Sequence, residues 1–110
     1  MGKLTEAIAA SQKARKDKRD SDLKAVQIWA TETFEDDAKN VEYRLIGSGV
    51  QEYIIVTLSV GKLAINPTTY SLSLVVTAKE TGIDVLESIC QFKHQDSGKI
   101  ALDFLVNFYG

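Results

Sequence analysis

The sequence predicts an α+β fold, with an N-terminal helix or helices packed on one face of a roughly five-stranded antiparallel meander sheet. Three observations predict it. Up to about residue 37 the apolar side chains recur at helical spacing. From Val41 onward they alternate, in runs separated by turns rich in Gly, Pro, Asn and Asp. Those turns are short, and strands joined by short loops pair with their neighbours antiparallel. A chain of 110 residues holds one core and not two. The expected division is a basic helical or partly ordered segment over 1–20 and a single α+β domain over 21–110.

Residues 3–16 read as a helix, rich in alanine, with Leu4, Ala7, Ile8 and Ser11 on one side. Gln12 to Asp22 has almost no apolar residue. Asp20-Ser21-Asp22 reads as the start of a second helix, because short oxygen-bearing side chains there can accept a free backbone N–H. This helix should run from Leu23 to about Asp37. Its stripe is Leu23, Val26, Ala30 and Phe34, with Trp29 beside it, and should lie on the sheet.

Val41 to Ile46 is the first predicted strand, and Gly47-Ser48-Gly49 a hairpin loop. In Val50 to Ile65 the even-numbered positions Val50, Ile54, Val56, Leu58 and Val60 are apolar, and after Gly61 the apolar positions become odd, Leu63 and Ile65. One extra residue reverses the face of a strand, so a bulge or sharp bend is expected at Gly61-Lys62. Asn66-Pro67 is a turn. Thr69 to Lys79 and Asp84 to Gln95 are two further strands. In the last run, from Lys99 to Tyr109, Ile100, Leu102, Phe104, Val106 and Phe108 alternate, which predicts a closing strand. This shape resembles that of cystatin-like and nuclear-transport-factor-like folds; none of their motifs accompanies it, so it implies no function.

Composition excludes several chemistries. The apolar and charged fractions, 45% and 25%, are those of an ordered globular domain. No apolar run approaches the ~20 residues needed to cross a bilayer, so no membrane is expected as a partner. The N-terminus lacks the apolar core of a signal peptide, and a single cysteine forms no internal disulfide, so a cytoplasmic location is expected. Gly61-Lys62 and Gly98-Lys99 lack the rest of a phosphate-binding loop, and no cofactor is implied. One cysteine and one histidine do not make a zinc set. On a strand, Cys90 and His94 would stand ~13 Å apart, too far for a nucleophile and its base. Catalytic carboxylates would have to be assembled across the sheet, as Asp103 with Glu87.

Two features point instead to binding. With the helix covering Leu72, Leu74, Phe104 and Phe108, the opposite sheet face would show Tyr53, Ile55, Val75, Ile89 and Leu105. Such a patch marks a protein interface or a homodimer, unless the N-terminal helix folds back over it. The second feature is charge. Residues 1–24 carry seven Lys/Arg against four Asp/Glu, and the remainder six against eleven. Lys13, Arg15, Lys16, Lys18 and Arg19 form a basic run suited to an acidic partner or to phosphates. The reading is a small non-enzymatic interaction module acting through its sheet face or by self-association. One alternative is a nucleic-acid-associated protein with a basic arm. Another is a ligand-binding or enzymatic domain with a helix–sheet pocket near Trp29, Tyr70 and His94.

Overall fold

A computed structural model describes residues 2–46 and 49–110. A helix α1 (Lys3–Phe34) leads through a 3-10 turn (Glu35–Asp37) into five strands, β1 (Ala38–Leu45), β2 (Glu52–Leu58), β3 (Lys62–Ile65), β4 (Ser71–Thr77) and β5 (Asp84–Gln91), and a second helix α2 (Ser97–Tyr109) follows. The strands form one antiparallel sheet in sequence order, β1-β2-β3-β4-β5. The expected class is therefore present: a long N-terminal helix packed on a five-stranded antiparallel meander. Gly47 and Ser48 of the expected hairpin loop lie outside the described residues.

Two of the five strands differ in kind from expectation, and the strand expected over Asp84 to Gln95 ends at Gln91, which leaves His94 in a turn. The run from Val50 to Ile65 is not one bent strand but two. The reversal of phase at Gly61 is a tight turn, closed by the Leu58 N–H donating to the Gly61 carbonyl at 2.7 Å. The closing strand is a helix instead. Eight of the ten residues Ile100–Tyr109 are apolar, and so apolar a run fits either period. Burial decides it: Ser97, Ala101 and Leu105, four residues apart, face inward.

The helical segment is also continuous where the sequence suggested a break. Asp20 and Ser21 are passed through, and Asp22 does not cap. Its carboxylate accepts Lys18 Nζ at 2.7 Å, one turn back, and the Tyr70 hydroxyl at 2.9 Å. Both bonds favour the helical conformation over a new start.

The core lies between the helices and one sheet face. Val26, Ala30 and Phe34 of α1 and Ala101 and Leu105 of α2 meet Ile54, Val56, Leu58, Leu63, Ile65, Leu72 and Leu74. Each Val, Leu, Ile or Phe among them taken wholly from water contributes roughly 1.5–3 kcal/mol. α1 lies over β1 and β2, α2 lies over β5, and the helices touch each other. Their contact is close because Gly98 has no side chain; a Cβ there would come within 2.7 Å of Thr33 Oγ1. Trp29 ties the same corner. Its indole N–H donates to the buried Ser97 hydroxyl at 3.0 Å, and its ring meets Phe34 and Phe92 edge-on.

Only the C-terminal part of α1 takes part in this core. Every residue from Gly2 to Ser21 is exposed. Residues 3–17 form a helical arm that projects from the body, about 22 Å long at 1.5 Å per residue. The arm continues the helix axis and does not fold back over the far sheet face. Among the described residues, no helix is long and apolar enough to cross a membrane.

Candidate functional site

The five residues expected to form an interface do not share a surface. Leu105 belongs to α2 and is buried in the core, because the segment is helical. Ile89 packs against the core as well, at a register shift in the β4–β5 ladder. Tyr53, Ile55 and Val75 do lie on the sheet face away from the helices. There Ile55 is only 3% exposed. It sits in a cleft of about 280 Å³ framed by Arg44, Lys62 and Asp84. Leu45, Ile46 and Val75 line the cleft beside those charges.

The basic run divides in two. Lys18 and Arg19 fasten the arm to the body. Arg19 donates to both carboxylate oxygens of Glu52, at 2.8 and 3.1 Å, and its guanidinium lies 3.8 Å from the centre of the Tyr43 ring. The Tyr43 hydroxyl donates in turn to the Arg19 carbonyl at 2.8 Å. Lys18 pairs with Asp22 and donates to the Pro67 carbonyl at 2.9 Å. The hydrogen bond from Arg19 holds the Glu52 carboxyl below its ordinary pKa, and the bond to Asp22 raises that of Lys18. Burial is the main cause that lifts the Tyr43 phenol. With two of their five charges already partnered, Lys13, Arg15 and Lys16 remain as exposed cations along the arm.

The residues named for a helix–sheet pocket are engaged separately. The Trp29 ring is packed among aromatic side chains. Tyr70 holds Asp22 and carries Lys93 Nζ at 3.8 Å from its ring centre. His94 lies in the exposed turn before α2, where its Nδ1 accepts the Asp96 N–H at 3.0 Å. Cys90 is half-buried beside the core, and burial raises its thiol pKa. Asp103 lies on helix α2 rather than on a strand beside Glu87. Among the described residues no group of three or more His, Cys, Asp and Glu side chains gathers as a metal set.

One surface was not legible from the sequence. Helix α2 is apolar beyond the side it buries: Leu102 is 42% exposed, Val106 64% and Tyr109 45%. Val60, from the β2–β3 turn, is 58% exposed beside them. Together with Phe34 and Leu58 they line a groove of about 350 Å³, with Asp37 at its edge. A second hollow shares Phe34, Asp37 and Leu102 and adds Glu35 and Asp36. Gly61 lets the end of α2 come this close, since a Cβ there would overlap the Tyr109 hydroxyl. The signal that could have revealed the groove is the excess of apolar residues over one helix face in Ile100–Tyr109. Read with period two, the same excess falls on both faces of a strand.

The chain shows no significant match to any family model, curated protein or solved structure.

Proposed function

We propose that the protein is a non-enzymatic interaction module that grips an apolar segment of a partner in the groove between α2, the end of α1 and the β2–β3 turn. The observation that supports this reading is the contiguity of Val60, Leu102, Val106 and Tyr109, all more than 40% exposed around one concavity. Scattered surface apolar residues are ordinary, whereas a contiguous group rimmed by charge is the signature of a binding site. Its acidic rim favours a basic segment, and a helix with apolar residues four apart suits a groove beside another helix.

Selection of random peptides against the immobilised protein tests this. Binders should be basic and amphipathic, and Val106→Glu should abolish their binding while leaving the fold intact. Binders indifferent to Val106→Glu, or a selection that yields none, would reject the groove as a site.

A second reading rests on the exposure of Lys13, Arg15 and Lys16 on the arm: sequence-independent contact with nucleic acid. It predicts binding to DNA and RNA that falls steeply with salt and disappears when these residues are neutralised.

A further inference from the structure

We infer that the segment held in the groove is the basic helical arm of a second copy of this chain, with the Leu4 and Ile8 side of the arm laid along α2. This rests on the groove being an interaction site, and it names the partner.

Charge is complementary within the one chain. Residues 3–17 carry four Lys/Arg against two Asp/Glu, and all the rest carries nine against thirteen. Glu35, Asp36 and Asp37 gather that negative charge beside the groove. A basic helix meeting an acidic rim gains affinity and orientation from the pairing.

The apolar positions correspond as well. Leu4, Ile8, Arg15, Arg19, Val26 and Ala30 follow one another along a single side of α1 at the helical repeat. The side that is buried in the body, at Val26 and Ala30, therefore continues along the arm, where Leu4 is 74% and Ile8 49% exposed. Leu4 and Ile8 are four residues apart, as are Leu102 and Val106 on α2. The lengths also match: the arm is about 22 Å and α2 about 20 Å at 1.5 Å per residue.

Position excludes the arm from its own groove. The arm leaves the body at one end of α1, and the groove opens at Phe34, the other end of the same 32-residue helix. Two copies set antiparallel about a two-fold axis bring each arm to the other's groove, and the assembly closes at two chains. Docking would also give the arm a tertiary partner. A helical stretch of about 15 residues without one is marginal in water.

Sedimentation velocity over a concentration series tests the inference, using the whole chain as wild type, Ile8→Glu and Val106→Glu. Both substituted positions are exposed, and far-UV circular dichroism with thermal melting confirms that each variant folds. The wild type should pass from monomer to dimer as concentration rises, and high salt should weaken the dimer. Each variant alone should associate at least tenfold more weakly. An equimolar mixture of the two should recover part of the association, because the intact arm of V106E meets the intact groove of I8E. A wild type that stays monomeric, a dimer that survives both substitutions, or a mixture no stronger than its components would overturn the inference. Peptide binders that require Val106, found beside a monomeric wild type, would reject the second copy and keep the groove. The failure of both experiments would reject the groove itself.

Discussion

The two parts of α1 form one unbroken helix and yet are held by different physics. From Leu23 to Phe34 the helix lies on the sheet, with Val26 and Ala30 no more than 1% exposed. From Lys3 to Asp17 it has alanines, lysines and a glutamate suited to helix formation, and no covering element. Propensity alone sustains the arm, whereas burial sustains the body half. The boundary between them is a chemical joint. Arg19, Tyr43 and Glu52 on one side, and Lys18, Asp22 and Tyr70 on the other, fix the point at which the helix leaves the sheet. A change in the arm should therefore alter helix content and association, and a change in the body half should alter the stability of the whole domain.

Proline separates the two halves with the largest effect. Ala14 and Ala25 are both exposed alanines inside α1. Ala25→Pro removes a helical hydrogen bond and clashes with the preceding turn, costing about 3 kcal/mol or more of global stability in urea unfolding. Ala14→Pro introduces the same defect, but in a segment not coupled to the core. It should lower helical ellipticity and shift the unfolding midpoint little. Equal losses of stability would contradict the division of the helix.

Core truncation is next in size. Leu74→Ala opens a cavity at a fully buried site and should cost about 2–5 kcal/mol, against less than about 0.5 kcal/mol for Ile8→Ala. Gly98→Val tests the contact that seats α2. Its side chain would strike Thr33, so the domain should lose about 1–3 kcal/mol and the groove should be disturbed with it. Melting curves and peptide binding check the two consequences separately.

The smallest expected effect is electrostatic. The folded pKa of Glu52 lies below its ordinary value because Arg19 donates to it. The pairing therefore contributes fully above the ordinary carboxylate range and is lost as pH falls through the lowered folded value. Both partners are exposed, so the contribution is small. Glu52→Gln should flatten that part of the acid limb, as followed by the chemical shifts of Arg19. An unchanged pH profile in the variant would show that the joint does not depend on the ion pair.

Much of the fold could be read from the sequence, and what could not has two causes. The stripe Leu23, Val26, Ala30, Phe34 was legible because its members keep helical spacing, with Lys24, Gln27, Thr31 and Glu32 breaking the apolar run between them. The phase reversal at Gly61 marked the right residue, although what it produces is a turn between two strands. Where apolar residues are nearly continuous, as in Ile100–Tyr109, period carries no information, and the helix was invisible. A strand there sets Leu105 on an open sheet face and leaves no groove beside Val106. Asp20-Ser21-Asp22 misled for a different reason. Short polar residues cap helices, but here Asp22 is satisfied by Lys18 and Tyr70, which is 48 residues away. Such partners become visible only in three dimensions.

Amide hydrogen exchange of the arm, measured as a function of protein concentration, addresses the central claim most directly. In dilute solution the amides of residues 7–17 should exchange quickly and those of Val26 to Phe34 slowly. As concentration rises, protection should grow in the arm and around Leu102 to Tyr109 together, because the two surfaces cover each other. Protection in the arm that never depends on concentration, or that rises without any change along α2, would contradict it.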